Sequence, residues 1–207
     1  MTLRLNGATS GFTEIDAPAV AGSNTLVLPG GNGSADQALV TNGSGTLSFA
    51  DRGRMVLETA QSATGTEVDF TSIPSWVKRI TVMFDGVSLN GGSNVLVQLG
   101  DSGGIETTGY ESSSTGGAST VASVASTAGI IAFFGDAAGV QSGHLLLANV
   151  SANIWSSSHV LGRSDIAASR FGGGRKTLSG TLDRVRITTV NGTNTFDAGT
   201  INLLLEG

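Results

Sequence analysis

Thr181-Leu182-Asp183-Arg184-Val185-Arg186-Ile187-Thr188 carries the clearest two-residue period in the chain. Leu182, Arg184 and Arg186 fall on one side of an extended backbone, and Asp183, Val185 and Ile187 fall on the other. The same texture recurs on both sides of this stretch. Glu67-Val68-Asp69-Phe70 and Arg79-Ile80-Thr81-Val82 alternate, and Met55-Val56-Leu57 opens the series. Continuous apolar runs stand at Val95-Leu96-Val97, Ile130-Ile131-Ala132-Phe133-Phe134, Leu145-Leu146-Leu147, Val160-Leu161 and Leu203-Leu204-Leu205. Gly or Asn-Gly turn signals lie between them at 90–92, 103–104, 172–174 and 191–192. Short strands separated by turns predict an all-β fold, a sandwich or a barrel. No long stretch has apolar residues at i, i+3, i+4 and i+7 between caps. Residues 112–128, rich in Ser and Gly, read as a long loop in which Val121 and Val124 belong to a short strand or a helical turn.

The 207 residues carry 11 basic and 16 acidic side chains, and only 13% are charged. An ordinary soluble domain carries roughly 25%. Ser and Thr total 48, so small hydroxyl side chains take the place of charge at the surface. Hydrophobic residues make up 39%, enough for a core, which excludes wholesale disorder. With two Lys and a net charge of -5, the chain offers no basic stripe for nucleic acid. No apolar run approaches the length of a membrane span, and Met1-Thr2-Leu3-Arg4 does not open a signal peptide, so membrane insertion is not expected. The absence of Cys excludes disulfides and thiolate metal sites.

Composition divides the chain. Residues 1–53 form an expected attachment stalk or arm, and residues 54–207 a β-sandwich domain. Residues 1–50 hold one basic residue, Arg4, and their apolar side chains come in small clusters: Leu26, Val27 and Leu28, then Leu39 and Val40, then Leu47 and Phe49. Between the clusters lie Pro29-Gly30-Gly31-Asn32-Gly33-Ser34 and Thr41-Asn42-Gly43-Ser44-Gly45, where Gly and Asn tolerate positive φ. Tiny strands and turns of this kind cannot bury their own apolar side chains. Leu26, Val27, Leu28, Leu39, Leu47 and Phe49 are therefore the candidate residues for contact with sister chains or an attachment partner. The alternative is a disordered linker.

The stretch from Gly7 to Leu26, with Leu28-Pro29 and Gly43-Ser44-Gly45-Thr46-Leu47-Ser48-Phe49, is similar to one in bacteriophage tail-fibre and appendage proteins, notably of phages of marine and freshwater bacteria. Where those relatives often end the last run in Trp, this chain has Phe49. The segment from Ala63 to Leu99 also resembles a phage structural family, through Ile73-Pro74-Ser75-Trp76-Val77-Lys78-Arg79-Ile80 and then Leu99-Gly100. The resemblance implies a virion structural protein, assembled in the host cytoplasm, with a fibre-like N-terminal attachment segment and a jelly-roll-like head, as a homotrimer. Its implied partners are sister chains, other virion proteins (tail, baseplate or major capsid protein) and a host-surface glycan or protein.

Several stretches spell chemistry without its partners. Gly100-Asp101-Ser102-Gly103-Gly104 matches the nucleophile loop of chymotrypsin-like proteases, but both histidines, His144 and His159, follow the Ser, and a Gly-rich turn is the simpler reading. Neither histidine belongs to a closely spaced ligand pair, and no metal or other cofactor is expected. Glu14/Asp16 and Glu67/Asp69 each place two carboxylates on one strand face, where glycosidase chemistry would need a cleft between them. Gly172-Gly173-Gly174-Arg175-Lys176-Thr177 resembles a phosphate-binding loop but has Arg175 where Gly is needed, and reads as a hairpin turn. Trp76, Tyr110 and Trp155 are the aromatics considered for sugar contact. Trp76 reads as packing, which leaves Tyr110 and Trp155 as candidate receptor or sugar residues.

The expected function is non-enzymatic: a trimeric tail-fibre or spike-type appendage, anchored by its arm and presenting the head for host-surface adhesion. A capsid decoration, cement or head-fibre protein is the alternative, and a polysaccharide depolymerase a remote one.

Overall fold

Val185 and Ile187, the apolar side of the 181–188 run, are fully buried, while Arg184 and Arg186 on the other face are half-buried. The computed structural model describes residues 3–20, 22–35, 37–50, 53–117, 120–132, 135–137 and 139–207. Among the described residues the regular structure is β-strand, with no helix. The chain divides into two units, residues 1–52 and 53–207.

The first unit holds two small antiparallel hairpins. One pairs β1 (Leu3–Asn6) with β2 (Phe12–Ile15), and the other pairs β3 (Ala38–Thr41) with β4 (Leu47–Ala50). The turn between β3 and β4 is set by its sequence. Asn42 Oδ1 accepts from the Ser44 and Thr46 amides at 2.8 and 3.1 Å, and Gly43 and Gly45 take φ of 84° and 90°. Glycine carries that left-handed backbone without strain. Val27 forms an isolated parallel bridge to Thr46.

The second unit contains β5 (Met55–Leu57), β6 (Gln61–Ser62), β7 (Glu67–Thr71), β8 (Arg79–Leu89), β9 (Val95–Asp101), β10 (Gly104–Ile105) and β11 (Tyr110–Gly117). It continues with β12 (Ala122–Ser126), β13 (Ile130–Ala132), β14 (Gln141–Ser151), β15 (Ile154–Arg163), β16 (Ala168–Thr177), β17 (Arg184–Thr189) and β18 (Phe196–Glu206). The larger sheet runs β12-β11-β16-β15-β14-β8-β18-β5, with β6 also on β18. The smaller runs β10-β9-β17-β7, with β13 also on β9. All of these pairings are antiparallel.

The two sheets enclose one hydrophobic core, a sandwich-like arrangement. Ile80, Val82 and Phe84 of β8, Leu145 and Leu147 of β14, and Ile201, Leu203 and Leu205 of β18 line its larger wall. Val68, Phe70, Val97, Leu99, Val185 and Ile187 line the smaller one. Alternation along each strand sends every second side chain to that core, so register follows the apolar pattern. The seven residues of β9 are all buried, matching its continuous apolar run.

Two stretches differ from the sequence expectation. Residues 112–128 are not a loop, because β11 and β12 form a hairpin there, pairing Ser112 with Ser126 through to Gly116 with Ala122. Main-chain hydrogen bonds hold this Ser- and Gly-rich segment in the sheet, so it shows no apolar period. The glycine triplet 172–174 is likewise not a turn. It lies mid-strand in β16, where Gly172 faces Ser114 and His159, and Gly174 faces Ser112 and Ser157. A Cβ on Gly172 would sit 2.2 Å from the Ser113 carbonyl oxygen, and one on Gly174 would sit 2.5 Å from Ser112 Cβ. Glycine is present here because the strands approach closely. In the 130–134 run, Ile130–Ala132 form β13, while Phe133 and Phe134 lie outside the described residues. Ser112 Oγ then ties β11 to the chain around β13, donating to Gly129 O at 2.8 Å and accepting from the Ile131 amide at 3.1 Å.

Gly172→Ala is expected to cost about 1–3 kcal/mol through overpacking. Gly92→Ala, whose Cβ meets nothing closer than 3.7 Å, should stay within about 0.5 kcal/mol. Denaturant midpoints of the two full-length variants provide the check, and equal midpoints would contradict the steric account.

Candidate functional site

Ser102 lies exposed in the turn between β9 and β10. Its neighbour Asp101 is spent on structure, accepting from the Gly103 amide at 2.8 Å and from Ser179 Oγ at 2.9 Å. Both histidines lie on the other sheet, and no hydrogen bond joins Ser102 to either among the described residues. Gly100–Gly104 is therefore a turn whose aspartate organises it.

His144 and His159 lie on adjacent strands, but Leu145 is the partner of His159 and Val160 is the partner of His144. That offset of one residue sends the two rings to opposite faces, so they cannot share an ion. His144 is exposed on the outer face. His159 is 3% exposed on the inner face and lies 2.9 Å from Ser114 Oγ through Nε2. The space above Gly172 gives the ring its room, since a Cβ there would meet His159 Cε1 at 2.6 Å. Burial pushes the imidazole down to about 4. The ring is thus neutral, and its Nδ1 has no hydrogen-bond partner.

Three of the four carboxylates in these pairs are engaged by arginines. Arg186 on β17 reaches Glu67 at 2.7 Å and Asp69 at 2.6 Å, so both acids of β7 close on one guanidinium. Glu14 pairs with Arg4 across the first hairpin, with Arg4 also 4.0 Å above the Phe12 ring. Asp16 accepts from the Ala17 amide at 2.9 Å. The Arg175-Lys176 pair splits between the two faces of its sheet. Arg175 is exposed, whereas Lys176 is buried against Glu106 at 2.5 Å and donates to Thr108 O at 2.8 Å.

Tyr110 and Trp155 correct the sequence reading. Tyr110 is 1% exposed and Trp155 4%, so neither ring offers a face to a ligand. The cause is register, because both fall on inward positions of β11 and β15. The Tyr110 hydroxyl accepts from the Leu99 amide at 2.7 Å and donates to Glu106 O at 2.9 Å, joining the two sheets, and burial drives its ionisation upward. Trp76 packs against the core edge with the Arg54 guanidinium 4.7 Å over its ring, which fits a packing role.

The arm candidates present apolar surface. Leu26, Val27, Leu28 and Leu39 are 67, 52, 73 and 52% exposed, and Leu47 and Phe49 are half-buried. The first hairpin adds Leu3, Leu5, Phe12 and Ile15, all more than half exposed, which the sequence reading had not selected. Leu3 and Leu5 alternate with Arg4 and Asn6, a detectable signal, whereas Phe12 and Ile15 stand three residues apart and carry no such period.

The head holds a pocket of about 260 Å³ between the Pro74–Lys78 segment, the β14–β15 turn and the segment before β17. Of its lining, the sequence reading had singled out Trp155 for contact. Compared with family models, curated proteins and solved structures, the chain matches none.

Because burial lowers the His159 imidazole to about 4, the unfolded chain binds its proton more readily than the folded one. Stability should fall as pH drops from about 6.5 toward 4, by up to about 3 kcal/mol from this residue. His159→Gln should flatten that limb in urea titrations at pH 6.5 and 4.5. An unchanged slope would contradict the assignment.

Proposed function

We propose that the chain is a non-enzymatic virion structural protein of a bacteriophage, a trimeric tail-fibre or spike-type appendage. Residues 1–53 anchor it to the particle and to sister chains, and the jelly-roll-like head presents a surface to the host. The observation that carries this reading is the exposed apolar surface on the arm, from Leu3, Leu5, Phe12 and Ile15 to Leu26, Val27, Leu28 and Leu39. Two-stranded hairpins are marginal alone in water, and large apolar side chains left exposed on them call for a covering surface. Packing around a threefold axis removes that surface at roughly 25 cal/mol per Å².

The resemblance of residues 7–49 to phage appendage proteins supports the same reading. So does the weakly charged, hydroxyl-rich surface, which suits adhesion that varies little with salt. Several identical heads on one stalk then turn weak contacts into avid ones.

Static light scattering at micromolar concentration is expected to give about 62 kDa, three times the 20.8 kDa chain. Leu28→Asp, which places a charge in that surface, should shift the mass toward one chain without altering the head's near-ultraviolet signal. A wild-type mass of one chain contradicts the trimer. Immunogold label at the tail supports the appendage, whereas label over the capsid moves the assignment to a head decoration.

A further inference from the structure

We infer that the pocket at the end of the head sandwich binds a hydroxyl-rich ring bearing a carboxylate, the acidic monosaccharide unit of a surface polysaccharide. The inference rests on the adhesive reading of the head and names the ligand class for it.

The pocket is built on main-chain ties between the segments that line it. The Asn149 amide donates to Lys78 O at 2.8 Å, and the Leu178 amide donates to Asn153 O at 3.0 Å. Asn149 Nδ2 donates to Ala152 O at 2.8 Å and so holds the turn in which Ala152 takes φ of 45°. A non-glycine residue in that region is strained, and such strain gathers where surroundings fix a functional shape. Val77, Leu182 and the edge of Trp155, each under 5% exposed, form the apolar back of the pocket. A preorganised wall of this kind lowers the entropy cost of ordering a ligand.

The polar groups at the rim are unspent. Ser75 Oγ, Thr181 Oγ, the Asn153 amide and the Lys78 ammonium have no hydrogen-bond or ion-pair partner among the described residues. No carboxylate lines the pocket, and Lys78 is its single charge. Hydroxyl and amide groups that both donate and accept fit the hydroxyls of a sugar ring, and a lone ammonium fits its carboxylate. At about 260 Å³ the space holds one such ring rather than a chain segment. Affinity at a single site of this size is weak, so the assembled particle depends on repetition of the site.

The test uses full-length protein carrying Trp76→Phe, which leaves Trp155 as its one tryptophan. Sodium D-glucuronate is titrated while Trp155 fluorescence is followed, with D-glucose and sodium acetate as controls. A saturable change with a millimolar midpoint is expected for glucuronate, with glucose at least tenfold weaker and acetate without effect. Lys78→Gln should raise the midpoint about tenfold, while Arg175→Gln, an exposed cation outside the pocket, should leave it unchanged. No saturable response by about 100 mM, or the same midpoint in Lys78→Gln, overturns the inference. Acetate acting as well as glucuronate overturns it too, since the pocket would then hold a bare anion. If particles adhere to host cells while glucuronate fails, this site is wrong and the adhesive reading stands.

Discussion

A two-stranded hairpin has a single layer, and most apolar side chains on it have little within their own fold to be buried against. That constraint governs residues 1–52. Leu3 and Leu5 oppose Ile15 and Thr13 across β1 and β2, yet both leucines stay more than half exposed. Lateral pairing brings such side chains side by side without covering them. Among the described residues, Leu26, Val27 and Leu28 precede β3 with a single bridge, from Val27 to Thr46, made by two main-chain hydrogen bonds. The favourable term available to this unit is burial against something else, which the proposed trimer would supply symmetrically.

The head is organised by the opposite condition. Its two sheets face each other, and side chains such as Ile80, Leu99, Leu145 and Leu203 lose essentially all contact with water. Where the larger sheet runs short of apolar side chains, in β11 and β16, glycine and serine take their place. Gly172 and Gly174 let backbones and the His159 ring come close, and the Ser112 and Tyr110 hydroxyls bond the larger sheet to the chain facing it. Chemistry-bearing residues are drawn into this framework. Asp101 orders a turn, Arg186 closes on Glu67 and Asp69, and Lys176 is buried against Glu106. The Lys78, Ser75, Thr181 and Asn153 side chains at the end of the sandwich are not drawn in this way among the described residues.

Legibility in the sequence followed the strength of the apolar signal. The strand over 184–189 could be read because Val185 and Ile187 alternate with arginines, and β9 because Val95, Leu96 and Val97 form a continuous apolar run. The β11–β12 hairpin and the glycine strand were not legible. Their stabilisation comes from main-chain pairing and from space that only glycine leaves, and neither has a periodic signature. Tyr110 and Trp155 looked accessible beside serine-rich stretches, but one position of register decides which face a strand residue occupies. The pocket was hidden for another reason. Ser75, Lys78, Asn153 and Thr181 come from three distant segments, and only the fold brings them together.

In the proposed trimer, neighbouring copies cover the arm's apolar clusters. Amide hydrogen exchange across Val27, Val40 and Leu47, followed over a dilution series, tests it most directly. Strong protection at high concentration that disappears on dilution, with the amides of β9 and β17 unaffected, is the predicted result. Protection of the arm that is the same at every concentration, or absent at all of them, would contradict it.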